Sequence, residues 1–111
     1  MILWHNPRCT KSRETLKLLQ DAGHQPAVRL YLKDVPTTAE IIALRNALGV
    51  TADAMMRKGE KLYKELGLAS ADEDTLIAAM AANPILIERP VLVNDDKAAI
   101  GRPPESVLKI I

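Results

Sequence analysis

The opening 23 residues constrain this chain more than any other stretch, because they read as a strand, a tight loop and a helix in immediate succession. Met1 to Trp4 is a short apolar run, and His5-Asn6-Pro7 turns the chain out of it into a loop over Pro7 to Thr10. From about Ser12 to Ala22 the apolar positions Leu16, Leu18 and Leu19 carry a helical pattern, and Gly23 is placed to stop it. Ala27 to Leu32 alternates well enough for a second strand before Asp34-Val35-Pro36 breaks the pattern. Strand, helix and strand in this order predict a βαβ unit and a mixed α/β fold.

The middle of the chain is helical. Thr37 followed three residues later by Glu40 is a capping-box signature, and Ile41, Ile42, Leu44 and Leu48 continue an apolar pattern to Gly49. Thr51 to Arg57 and Glu60 to Leu66 predict two short helical pieces, parted by Gly59 and closed by Gly67. Ser70 and Glu73 repeat the capping-box spacing ahead of a helix over Asp74 to Ala82, which Asn83-Pro84 stops. Val91 to Asn94 and Ala98 to Gly101 flank Asp95-Asp96-Lys97, the chemistry of a hairpin connection. Pro103 and Pro104 suit the first turn of a final helix, Glu105 favours its positive end, and Val107, Leu108 and Ile111 give it an apolar face. The order is therefore β-α-β, a helical block, then β-β-α.

At 111 residues the chain has the size of one domain that buries a single core without staples. It must do so, since one cysteine excludes both an intramolecular disulfide and a Cys-rich metal site. A formal net charge of +1 provides no global attraction for nucleic acid or an anionic membrane. No segment approaches about 18 consecutive apolar residues, and the N-terminus lacks the basic start of a signal peptide. These features predict a cytoplasmic protein with no nucleic-acid or membrane partner.

The lone cysteine sits where strand passes into helix. Free backbone N–H groups and the positive end of a helix dipole converge there, stabilising a thiolate and attracting an oxyanion. A free thiol has a pKa of about 8.5, so a fall of one or two units changes its reactivity at neutral pH substantially. Arg8, Lys11, Arg13 and His5 bring positive charge near Cys9, and Ser12 is placed to donate a hydrogen bond to the sulfur. His5 and Asn6 are supporting residues that hold the loop or polarise the thiol. The spacing is not the Cys-x5-Arg phosphate loop, because Thr15 stands where that loop needs Arg. It is not Cys-x-x-Cys either: Ser12 replaces the second cysteine, so a mixed disulfide at Cys9 must be resolved by an external thiol.

The segments HNPRCTKSRETL, LYLKDVP, MMRKGEKLYKELGLA, NPILIERPVLV and IGRPPESVL, in this order, resemble the glutaredoxin-coupled arsenate reductase family, in particular its short arsenate reductase-like members. The resemblance covers nearly the whole chain. It implies one domain over residues 1–111 with a thioredoxin-like fold and a helical insertion over roughly residues 37–83. It implies Cys9 as the nucleophile that attacks arsenate, glutathione as co-substrate, and glutaredoxin as the partner that clears the mixed disulfide. At matching motif positions Arg57, Arg89 and Arg102 become oxyanion ligands, a role suited to the fixed, always-charged guanidinium fork. Pro90 takes the place of the cis-proline beside the active-site cysteine of thioredoxin-like folds. Thr10-Lys11-Ser12 departs from the small Gly-containing turn of the well-characterised reductases. No metal and no tightly bound cofactor is implied, and a monomer is expected. Two other functions fit the same residues: a glutathione-dependent thiol reductase of another substrate, and a regulator of the Spx type that binds RNA polymerase. Such regulators commonly sense oxidation with a Cys-x-x-Cys pair, which Ser12 removes.

Overall fold

Strand β1 (Ile2–Trp4) lies inside a four-stranded sheet ordered β2-β1-β3-β4 in the computed structural model, which describes residues 1–111. Helix α1 (Thr10–Asp21) crosses to β2 (Ala27–Arg29), which pairs parallel to β1, with Leu3 opposite Val28. On its other side β1 pairs antiparallel with β3 (Val91–Asn94), which turns back into β4 (Lys97–Ile100). The chain closes in a 3-10 helix over Pro104–Ile110. Leu3 of β1, Leu92 of β3, Leu19 of α1 and Val107 of the closing helix are fully buried together, flanked by Leu16, Leu18 and Ile110. This is the thioredoxin-like arrangement, β-α-β followed by a β-hairpin and a helix. It forms one compact unit, Met1–Asp34 with Arg89–Ile111.

Residues Val35–Glu88 form a second compact unit. Helix α2 (Thr38–Leu48) opens with the capping box, in which the Thr37 N–H donates to Glu40 Oε1 at 3.0 Å and the Glu40 N–H donates to Thr37 Oγ1 at 3.1 Å. After a 3-10 turn over Ala52–Met55 come the short α3 (Lys61–Glu65), a second 3-10 turn over Leu68–Ser70, and α4 (Glu73–Ala82). Glu73 ties three of these pieces, accepting from the Ala52 N–H and from the Arg45 guanidinium of α2 at 3.1 Å. Met56 bridges Ile87 on a short antiparallel contact. No helix of the chain is long and apolar enough to cross a membrane.

Four elements differ from the pattern in the sequence. The second strand stops at Arg29 rather than Leu32, because Lys33 and Asp34 both donate to the Leu30 carbonyl and fold the chain into a turn. That turn buries Tyr31, whose ring stacks on Trp4 at 6.4 Å between centroids while the Arg29 guanidinium lies 5.0 Å over the Trp4 ring. Burying an aromatic ring outweighs extending an edge strand. Helix α4 is capped not by Ser70 but by Asp72, which accepts from the Thr75 N–H at 2.8 Å; Ser70 belongs to the preceding 3-10 turn. The hairpin loop is two residues, with Asp95 in the left-handed region at φ 55° and Lys97 paired to Asn94. The closing helix is 3-10, and its inward residues Pro104, Val107 and Ile110 recur every third position, the period of that helix.

Candidate active site

Cys9 is the N-cap of α1. Its backbone is extended (φ −94°, ψ 124°), its carbonyl accepts from the Arg13 N–H at 3.0 Å, and its side chain makes no capping bond. The sulfur therefore stands beside the free N–H groups of the first turn, a turn that carries no acidic residue to neutralise the positive end of the dipole. Burial by itself pushes the thiol up. The Ser12 N–H, the Arg89 charge, the Lys11 N–H and a hydrogen bond from Arg89 together outweigh it, holding Cys9 below the usual thiol value. Arg89 reaches the sulfur from two residues before β3. Its peptide bond to Pro90 is cis.

The loop before Cys9 is built from within. The Arg8 N–H donates to Asn6 Oδ1, and the Cys9 N–H donates to the Asn6 carbonyl, both at 3.0 Å. Ser12, fully buried, holds the other side: its Oγ accepts from the Asn6 N–H at 3.0 Å and lies 2.7 Å from His5 Nδ1. One hydroxyl proton in a dry site needs an acceptor, and Nδ1 is the one within reach, which leaves the proton of a neutral His5 on Nε2. Burial first, and the Arg13 charge second, depress the His5 pKa and favour that neutral ring. The expected bond from the Ser12 hydroxyl to the sulfur is replaced: the hydroxyl belongs to His5 and Asn6, and the Ser12 backbone N–H stabilises the thiolate.

The basic residues divide. Arg13 braces the loop from outside, donating to the Pro7 carbonyl at 3.0 Å and to Thr10 Oγ1 at 3.3 Å, while Lys11 pairs with Glu14 at 3.5 Å. Neither side-chain charge is a cause of the lowered Cys9 pKa. Arg102 donates to the Arg89 carbonyl at 3.3 Å, so two of the three predicted anion ligands are joined within one unit. Arg57 belongs to the other unit, where its guanidinium pairs with Glu60 at 3.5 Å and its N–H donates to the Leu86 carbonyl. The loop that carries it is braced by Asp53, which accepts from Tyr63 Oη and pairs with Lys58 Nζ, each at 2.7 Å. These bonds, Lys58 first, hold the Asp53 carboxyl below the usual carboxylate range.

Sequence reasoning assigned no role to Gly101 and Thr15. The Gly101 N–H donates to the Pro90 carbonyl at 2.9 Å, and a Cβ at Gly101 would lie 2.8 Å from Thr15 Oγ1 and 2.9 Å from the Pro90 ring. Glycine is required there because β4 passes directly against helix α1 and Pro90. The hint in the sequence was a glycine inside an apolar strand pattern, which marks close backbone approach. A second cis bond, Arg102–Pro103, also went unforeseen.

A cysteine whose pKa is lowered beside a guanidinium at a helix start can, as its thiolate, attack an anionic electrophile and bind the charge it carries. The ArsC family model matches residues 4–110. A Haemophilus influenzae protein named arsenate reductase is 45% identical, the alignment covering 100% of this chain and 98% of that protein. The Escherichia coli K12 protein named "uncharacterized protein YfgD" is 52% identical over 98% of this chain and 94% of its own. The structure of an arsenate reductase from Vibrio cholerae has a TM-score of 0.96 at 49% identity, covering 99% of this chain and 96% of that one.

Proposed function

Because this chain belongs to the ArsC family, we propose that it reduces arsenate to arsenite through Cys9, with glutathione as reductant and glutaredoxin clearing the product disulfide. The observation that carries the reading is the Cys9 sulfur held between the first-turn N–H groups of α1 and the Arg89 guanidinium. The thiolate forms an S–As bond while one arsenate oxygen, protonated, leaves as water. The glutathione thiolate then forms an S–S bond to Cys9 as the S–As bond breaks. The bonding pair stays on arsenic, so As(V) becomes As(III) and two thiols become one disulfide. With no second cysteine in the chain, that disulfide passes to glutaredoxin.

Arg89 neutralises charge as the sulfur approaches the oxyanion, and a guanidinium does this with two directed N–H bonds where an ammonium offers a point charge. Arg102 anchors the Arg89 backbone and presents a second guanidinium on the same unit. For Arg57 the proposal rests on its motif alone. His5, Asn6 and Ser12 position the loop and touch no substrate. The reading places the protein in the cytoplasm, where glutathione is kept reduced, acting as a monomer.

NADPH-coupled arsenate reduction in the presence of glutathione, glutaredoxin and glutathione reductase tests the proposal. Cys9→Ser is expected to abolish turnover, and Arg89→Lys to lower kcat/KM about tenfold or more, the loss of one charge-assisted bidentate contact. A wild-type protein that forms a glutathione disulfide at Cys9 yet turns over no arsenate would move the function to reduction of another thiol-reactive substrate.

A further inference from the structure

A groove of about 250 Å³ runs beside the loop that presents Cys9. One wall is the loop itself, His5 to Arg8; the other is the turn after β2, with Leu30, Leu32 and Lys33. Its lining is mostly apolar, through Pro7, Leu30 and Leu32, and a basic side chain stands on each wall, Arg8 and Lys33. Both walls are fixed by local bonds: Asn6 Oδ1 holds the Arg8 N–H, and the Leu30 carbonyl holds the Lys33 N–H at 2.9 Å. Neither Arg8 nor Lys33 is paired with an acidic side chain. In a chain of net charge +1, two uncommitted cations lining one mostly apolar cleft are a local feature that solvation alone does not require.

We propose that this groove seats the glutathionyl half of the mixed disulfide at Cys9, a reading that rests on glutathione being the co-substrate. Glutathione carries a carboxylate near each end and a thiol between them, which matches a cation on each wall and a sulfur next to the loop. Pro7, Leu30 and Leu32 cover the methylenes of the γ-glutamyl and cysteinyl residues, and Arg8 and Lys33 take the carboxylates. The volume lies below the roughly 300–1,000 Å³ of pockets that engulf a drug-sized ligand. A tripeptide seated here stays partly exposed, as it must for a second thiol to attack its sulfur. Loading needs no further reagent when oxidised glutathione is the donor. The Cys9 thiolate attacks one sulfur, one S–S bond forms as another breaks, and glutathione thiolate leaves.

The test compares the rate at which Cys9 is modified by oxidised glutathione with its rate toward uncharged 2-hydroxyethyl disulfide, followed by mass spectrometry. The wild type is expected to prefer oxidised glutathione, and the preference to weaken with salt. In Lys33→Gln the ratio of the two rates should fall about three- to tenfold, and in Lys33→Glu further. Using a ratio removes any general change in Cys9 reactivity. No preference in the wild type, or a preference that neither Lys33 variant moves, overturns the proposal. The coupled arsenate assay separates its failure from that of the proposed function. Glutathione-supported turnover with an unmoved ratio condemns the groove alone, whereas a Lys33-dependent ratio without turnover condemns the arsenate reading and keeps the groove.

Discussion

Cys9 balances one opposing influence against several favourable ones: burial raises its pKa, and two peptide N–H groups and one guanidinium more than reverse the effect. Removing Arg89 takes away both its charge and its hydrogen bond while leaving the helix start intact. The rate of Cys9 alkylation by neutral iodoacetamide rises with pH as the thiolate forms, and its midpoint in the wild type should lie below the roughly 8.5 of a free thiol. In Arg89→Ala that midpoint should move upward, and the rate at neutral pH should fall, since less thiolate is present. An unmoved midpoint would assign the whole depression to the helix start. The position of Cys9 at the start of α1 was legible because a strand-to-helix junction leaves a local signal. The role of Ser12 was only half legible: its proximity to the sulfur followed from spacing, but which of its atoms does the work depended on His5 and Asn6 coming back over it.

At the scale of elements, the notch at Gly101 joins β4, Pro90 and α1. Adding one methyl there meets the Thr15 side chain and the proline ring inside 3.0 Å, with no flexible chain end to yield. Gly101→Ala should cost about 1–3 kcal/mol in urea unfolding, the usual penalty of overpacking a tight contact. It should also lower arsenate turnover, by displacing the segment that carries Arg89. Elements with local causes were readable in the sequence. The Thr37–Glu40 box and the glycine stop after α1 are examples; in the latter Gly23, at φ 87°, donates to Gln20 and His24 donates back to Leu19. Those whose cause is distant in sequence were not. Tyr31 leaves the strand because Trp4 lies under it, and Ser70 loses the cap to Asp72 because both satisfy the same short-range rule.

For the molecule as a whole, one cysteine means that no covalent link holds the fold together. Stability comes from packing, and in the sheet-bearing unit from a small set of residues around Leu3, Leu19, Leu92 and Val107. Leu92→Ala should cost about 2–5 kcal/mol, the range for a buried leucine. For a chain of this size that lowers Tm by roughly 10 °C or more. Adding a reductant should leave the wild-type Tm unchanged. A fall in Tm on reduction would mean that the folded form contains an intermolecular disulfide. The β-α-β and β-β-α halves were legible in the residues themselves, and the thioredoxin-like class came from the family resemblance. The grouping of residues 35–88 as a compact unit of their own needed the Met56–Ile87 bridge and the reach of Glu73, neither of which leaves a periodic trace.

The buried hydroxyl of Ser12 has an evolutionary consequence. A serine three residues after the reactive cysteine stands one codon change from the two-thiol motif, so self-sufficient disulfide chemistry is a single mutation away on paper. Here that exchange would put a weak sulfur acceptor where the Asn6 N–H and the His5 ring both depend on a strong oxygen. The gain of a second thiol would come with a loosened loop around the first. Keeping the first loop ordered with a cysteine at position 12 would therefore require His5 or Asn6 to change along with Ser12.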